Sequence, residues 1–241
     1  MSESKEEKSK KSALIAFDFD LTITSKHIHN ILAKGFLADA PEEVKWQAVK
    51  DIKPRGSAEE WNQAFQTLIA AGQDLSIVTE NKHLDLIRRY LKEIIGLNDK
   101  TLEAIYIDNQ KPSHSEPGKN GHLKRAKQHY SRNEDDRNVI LVEDSLKNIQ
   151  TAQKVGLLHR DYGAVSAPTD DYSKAPHIKQ VLEISQKFAP KIEIKEVKKA
   201  LYGGFYPPAP PPSSGNPKTK TPNEPLLSEQ GQTGCWPCKI L

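Results

Sequence analysis

Asp18 and Asp20 stand two residues apart in Phe17-Asp18-Phe19-Asp20-Leu21-Thr22, directly after the apolar run Leu14–Phe17. Carboxylates at that spacing beyond a strand end point the same way, and like charges so close need a cation or a shared proton. An Asp-rich loop capping a helix is the plainer reading of Asp-x-Asp alone, but its place at the end of an apolar run weighs against that. A second run, Ile77-Val78-Thr79-Glu80-Asn81, also closes an apolar stretch. There the Thr79 hydroxyl and free amides at a strand-to-helix junction suit a phosphoryl oxygen, although Thr and Asn are ordinary caps as well. Lys119, in Pro117-Gly118-Lys119, opens a helical stretch containing Leu123 and Ala126 and can set a point charge on a phosphate. Lys124, Arg125 and Lys127 read as that helix's solvated face. The fourth run is Val142-Glu143-Asp144-Ser145, where acidic residues are also favoured by a helix dipole. If its strand neighbours the first, Asp144 joins Asp18 and Asp20, and three converging carboxylates make a hard-cation site suited to Mg²⁺.

The elements that must position these residues are legible as short apolar runs alternating with helical stripes. Leu14–Phe17, Ala104–Ile107 and Val139–Val142 are continuous apolar tetrads, and Leu75–Val78 is apolar but for Ser76, the pattern of strands buried on both faces. Between them, Trp61, Ala64, Phe65, Leu68 and Ile69 make one helical stripe, and Leu84, Ile87, Leu91 and Ile94 a second. Leu146, Ile149, Ala152 and Val155 make a third, with Ser145 as cap and Gly156 as stop. A last helix is expected over 177–188, and Ile192–Leu201 reads equally as strand or helix. This alternation predicts an α/β fold with a doubly wound parallel sheet. About 35 residues separate the first strand from the helix near Ala58, far more than a usual βα connection. That stretch, residues 24–57 with His27, His29 and a helical patch at Val44–Val49, is expected to form a small helical cap over the sheet's carboxyl edge.

The order of the four motifs resembles the haloacid dehalogenase superfamily of phosphatases, over roughly residues 13–190. A signalling receiver domain also clusters Asp, Thr and Lys on such a sheet, but its acceptor Asp follows the acidic pair instead of opening the pattern. No Gly-x-x-x-x-Gly-Lys-Ser/Thr loop is present. The resemblance implies that Asp18 is the nucleophile and forms an aspartyl phosphate, while Asp20 protonates the leaving oxygen and then activates water. It implies that Thr79 and Lys119 hold the phosphoryl group. Mg²⁺ is expected on Asp18, Asp144 and the backbone carbonyl of Asp20, with Glu143 in an outer shell and Thr22 orienting the loop. A light cap implies a phosphorylated protein as substrate, phosphotyrosine ahead of phosphoserine. A small aryl or sugar phosphate is the alternative, and a catalytically idle, membrane-tethered adaptor is the rival from another class.

The chain has 241 residues, 35 basic and 32 acidic, so its net charge of +3 does not call for nucleic acid as a partner. Residues 1–12 are mostly Ser, Lys and Glu and are expected to form a disordered arm. From Gly203 onward, nine of the 16 prolines fall within 39 residues, which predicts an extended tail over 203–241 and leaves 13–202 as the folded domain. The Pro-rich segment is a candidate ligand for SH3 or WW modules. Both cysteines, Cys235 and Cys238, lie at the end, in Cys235-Trp236-Pro237-Cys238-Lys239-Ile240-Leu241. Cys238 fits a C-a-a-X prenylation signal, with Cys235 as a second lipid site. These features predict a protein at the cytoplasmic face of eukaryotic membranes, its own cell's or those of a host into which it is delivered, and cytosolic if not lipidated. They are similar to translocated effector phosphatases of Legionella-type pathogens.

Overall fold

Each of the four apolar runs supplies the body of a strand, largely buried because helices cover both faces of the sheet. The computed structural model describes residues 12–188 apart from Pro112 and His114. Strands β1 (Leu14–Phe17), β2 (Asp74–Val78), β3 (Ile105–Asp108), β4 (Val139–Glu143) and β5 (Ala164–Ser166) form one parallel sheet in the order β3-β2-β1-β4-β5. The chain builds outward from β1 to β3 and then returns to the other side of β1. The carboxyl ends of β1 and β4 therefore meet at the point where the strand order reverses, the place where such sheets bind ligands.

Alternation along the strands divides the core in two. Leu14 and Ala16 pack on Leu123 and Ala126 of α6 (Asn120–His129) and on Ile149 and Ala152 of α7 (Leu146–Lys154). Ile15 and Phe17 face the other layer, with Trp61, Phe65 and Leu68 of α3 (Ala58–Ala70) and Ile178, Val181 and Leu182 of α8 (Pro176–Ser185). The Phe17 ring meets Trp61 edge-on at 5.7 Å. Ser57 and Glu60 close a reciprocal capping box that fixes where α3 begins. Between β1 and α3 lie α1 (Ile28–Leu32), a 3-10 turn at Gly35–Leu37, and α2 (Glu42–Val49). The two limbs of this insertion are stitched by a bridge between Thr24 and Pro54 and by Arg55 N donating to Ile23 O at 2.8 Å.

Several expectations need correction. β5 has no apolar tetrad behind it, being only Ala-Val-Ser at the sheet's edge. β3 starts one residue late because Ala104 closes α5 (Asp99–Glu103), and so takes in Asp108. The stripe from Leu84 to Ile94 is split between α4 (Leu84–Arg89) and a π-helical turn, Tyr90–Ile94. α7 buries only Ile149 and Ala152 of its stripe; Leu146 and Val155 stand at its two ends and are 61% and 55% exposed. Ser145 occupies the N-cap position of α7 without making a side-chain cap bond. The basic face of α6 is not wholly solvated: Lys127 is buried with its ammonium on the Glu134 carbonyl, and Arg125 donates to Asp108 at 2.7 Å. The expected arm (1–12, save Ser12), the segment Ile192–Leu201, the Pro-rich tail and both cysteines lie outside the described residues. Among the described residues, no helix is long and apolar enough to cross a membrane.

Candidate active site

Strand register brings the four motifs to one level. Phe17 lies opposite Ile77 of β2 and Val142 of β4, so the chain leaves all three strands side by side. Lys119, at the start of α6, reaches into this opening: its Nζ donates to Asp18 Oδ1 at 2.5 Å and to Val78 O at 2.8 Å. Asp18 and Lys119 are both buried. Glu143 Oε2 stands 3.8 Å from the same ammonium, while its Oε1 accepts from Ser145 N and Asn148 Nδ2, each at 3.2 Å.

The carboxylates that converge are Asp18, Glu143 and Asp144, whose oxygens lie within 4.8 Å of one another. This differs from the expected trio in one member. Glu143, buried at the end of β4, brings its carboxylate into this cluster. The Asp20 side chain faces the insertion, where its oxygens accept from Ile28 N at 2.8 Å and His29 N at 3.2 Å. Among the described residues the Asp20 carboxylate is thus not one of the converging three, whereas its backbone carbonyl, the contact that the resemblance implies, is not engaged by these side-chain bonds. His27 Nδ1 lies 3.6 Å from Asp20, and that contact raises the proton affinity of the imidazole.

One ammonium facing this many carboxylates leaves the cluster short of positive charge. Burial pushes the Asp18 carboxyl up to about 6, against the pull of Lys119. Burial and then the Asp18 charge push Glu143 up to about 9. Burial works against the charged form of Lys119, but Asp18 and Glu143 outweigh it, so its pKa rises and it keeps its proton. Glu143 Oε2 is buried with no hydrogen-bond partner. A buried acceptor without a donor, beside two more hard oxygen ligands, fits a divalent cation such as Mg²⁺.

Thr79 is buried beside the cluster. Its amide is already committed to Asp108 O at 2.9 Å, and its hydroxyl accepts from Asn81 N at 3.1 Å, leaving the hydroxyl proton to donate. Asn81 contributes a donor that the sequence reading missed: it is 1% exposed and its Nδ2 has no partner. Thr22 Oγ1 contacts Asp18 Oδ2 at 3.4 Å. Together Asp18, Asp20, Thr79, Asn81, Lys119, Glu143, Asp144 and Asn148, with His27 and His29 from the insertion, line a cleft of about 200 Å³. A larger hollow of about 750 Å³ lies between the starts of α3 and α8, but its only carboxylate among the described residues, Glu60, is engaged in the cap of α3. The smaller cleft is the one in which several carboxylates meet a buried ammonium.

No family model and no curated protein matches the chain. Among solved structures, the chain is similar to an apo-form phosphoserine phosphatase at 19% identity and a TM-score of 0.41, over 61% of this chain and 84% of that one. It is also similar to the Legionella pneumophila effector Ceg4 carrying an N-terminal yeast Hog1p sequence, at 15% identity and 0.46, over 78% and 100%. A substrate-bound phosphoserine phosphatase is similar at 18% and 0.43, over 79% and 98%. At these identities, inference about chemistry falls to the side chains of the cleft.

Proposed function

We propose that this chain is a phosphatase of the haloacid dehalogenase superfamily, hydrolysing a phosphomonoester through an aspartyl phosphate on Asp18. The observation that carries the reading is the buried contact between Lys119 Nζ and Asp18, made in a cleft that also gathers Glu143 and Asp144. A carboxylate flanked by a fixed cation on one side and a cation-binding cluster on the other can approach a dianionic phosphate. Asp18 attacks phosphorus, and the bond from phosphorus to the substrate oxygen breaks as that oxygen takes a proton from Asp20. Asp20 then accepts a proton from water, whose oxygen attacks phosphorus and breaks its bond to Asp18, releasing inorganic phosphate. Lys119 keeps its proton throughout, and the Thr79 hydroxyl and Asn81 Nδ2 donate to the phosphoryl oxygens. Asp18, Glu143, Asp144 and the Asp20 carbonyl would hold Mg²⁺, which supplies positive charge against the substrate dianion.

The test is turnover of a generic aryl phosphate with Mg²⁺ and with chelator. Turnover that disappears in EDTA and returns with added Mg²⁺ is the expected result. Full activity in chelator removes the metal from the reading, and inertness toward phosphomonoesters removes the reading itself.

The substrate we infer is a phosphorylated protein, phosphotyrosine ahead of phosphoserine. A cleft of about 200 Å³ lined by polar side chains encloses a phosphoryl group and little beyond it, so the leaving group stays outside. Leu146, 61% exposed and next in the chain to the cleft residue Ser145, is the candidate we propose for an apolar contact with an aryl ring. A small aryl or sugar phosphate is the second reading. We also propose that Cys238 is prenylated and Cys235 acylated, which would place the enzyme on the cytoplasmic face of a eukaryotic, host-cell membrane as a delivered effector. The Pro-rich segment would be free to meet an SH3 or WW module. One prenyl chain binds membranes only marginally, so firm attachment needs a second chain or basic residues, and the tail from Gly203 holds only Lys218, Lys220 and Lys239 against Glu224 and Glu229. In a eukaryotic cell, Cys235→Ser should weaken membrane fractionation and Cys238→Ser should release the protein to the cytosol, with aryl phosphatase activity intact in both. Membrane fractionation of Cys238→Ser equal to the parent's would refute lipidation there.

A further inference from the structure

The loop that carries Asp18 and Asp20 holds a strained residue. Leu21 has φ 64°, in the left-handed region that a side chain such as leucine occupies only when its surroundings impose it. Two buried side chains from distant segments grip consecutive carbonyls at that point. Arg55 Nη1 donates to Leu21 O at 2.7 Å across 34 residues, and His177 Nε2 meets Thr22 O at 3.1 Å across 155. A carbonyl only accepts, so His177 carries its proton on Nε2. Burial depresses its pKa to about 4, in keeping with a neutral ring.

Neither contact is what packing alone would select. Arg55 is fully buried, yet it has no carboxylate partner among the described residues. Its Nη2 donates to Asp171 O at 3.2 Å, its guanidinium lies 4.8 Å from the Tyr172 ring centroid, and its Nε is unpartnered. Burying a guanidinium among carbonyls is costly where an apolar chain would fill the same volume. The backbone around Arg55 is fixed as well: its N donates to Ile23 O, and its O accepts from Trp61 Nε1 at 2.9 Å. His177 packs against the same Trp61, ring centroids 5.5 Å apart. The guanidinium and the imidazole thus brace the catalytic loop from behind, joining it to the return limb of the insertion, to the loop after β5 and to α8.

We infer that Arg55 and His177 are positioning residues that hold the Leu21–Thr22 turn, and through it the orientation of Asp18 and Asp20. Thr22 transmits the hold directly, since its carbonyl is gripped by His177 and its hydroxyl touches Asp18. Leu21 transmits it to Asp20, its neighbour in the chain.

Only the activity arm of the test rests on the phosphatase reading. His177→Phe keeps a ring against Trp61 but loses the donor, whereas His177→Gln keeps a donor and packs worse. With saturating Mg²⁺ and an aryl phosphate, His177→Phe should lower kcat about 10- to 100-fold with KM little changed, the scale at which misplacement of a reacting group is felt. His177→Gln should stay within about threefold of the parent on the same scale. Arg55→Met should fall as far as His177→Phe, and Arg55→Lys should recover part of the loss. Hydrogen exchange gives a second readout that needs no turnover: amides of Leu21, Ile23 and Thr24 should exchange faster in Arg55→Met and His177→Phe, while β4 and α7 keep their protection. The reverse order, with Phe active and Gln impaired, would assign His177 to packing and overturn the inference, as would unchanged exchange in the loop. If the parent hydrolyses nothing, the phosphatase reading falls alone and exchange still decides the brace. If Arg55→Met does not fold, the two His177 variants decide it.

Discussion

Asp18→Asn is expected to abolish turnover, by at least about 10⁴-fold, the scale on which loss of a covalent nucleophile is felt. The amide is nearly isosteric, but it cannot attack phosphorus, and it replaces the negative charge paired with Lys119 at 2.5 Å. Folding should survive, because a carboxyl that burial already pushes up to about 6 loses little when made neutral. Asp20→Asn separates the two roles. Asp20 lies at the wall of the cleft, tied to the amides of Ile28 and His29, and its replacement leaves the nucleophile in place while slowing attack by water. Rapid quench with labelled substrate should therefore trap phosphoenzyme on Asp20→Asn and none on Asp18→Asn. Label on any residue other than Asp18 would exchange the assigned roles.

How far the sequence foretold this site depended on the kind of signal each residue leaves. Asp18, Thr79 and Lys119 sit where apolar runs end or a helix opens, and such boundaries are visible in a linear string because burial on both faces demands uninterrupted apolar strands. The convergence of β1 and β4 was an extension of the same logic, and the register of Phe17 opposite Val142 realises it. Whether Glu143 joins the cluster turns on which way one side chain points at the end of β4, and Glu-Asp looks the same in sequence either way. Asn81 looked like a cap; only its unpartnered, buried Nδ2 marks it as a donor. Arg55 and His177 left no local signal at all. Their meaning lies in contacts with Leu21 and Thr22, far away along the chain, and in a burial that a charged or ring-nitrogen side chain does not advertise. The errors in α6 share that cause: Lys127 and Arg125 read as surface because their partners, Glu134 O and Asp108, come from other segments.

Glu143 gives the second large effect, in stability. Its carboxyl rises from an ordinary value of 4.5 to about 9 on folding, with burial the leading cause and the Asp18 charge the next. Between those pH values the folded protein retains a proton that the unfolded chain has lost, so stability must fall as pH rises. His177, depressed to about 4, has the opposite sign, but its contribution is complete once pH exceeds the ordinary imidazole value of 6.5. Lys119, raised from 10.5, keeps its proton over the same range. His27, raised from 6.5 by its contact with Asp20, adds a loss of the same sign in this range, and with it Glu143 sets the slope from pH 6.5 to 8.5. In chelator, urea unfolding should show a loss of about 2 kcal/mol across that window. Saturating Mg²⁺ should flatten the slope, because a cation on Asp18, Glu143 and Asp144 lets Glu143 ionise in the folded state, and the metal's stabilisation should itself grow with pH. Glu143→Gln should flatten the slope without metal and forfeit most of the response to Mg²⁺. A parent protein whose stability in chelator is level from pH 6.5 to 8.5 would mean that Glu143 is already ionised beside Lys119, and that the cluster does not need a divalent cation to carry its charge.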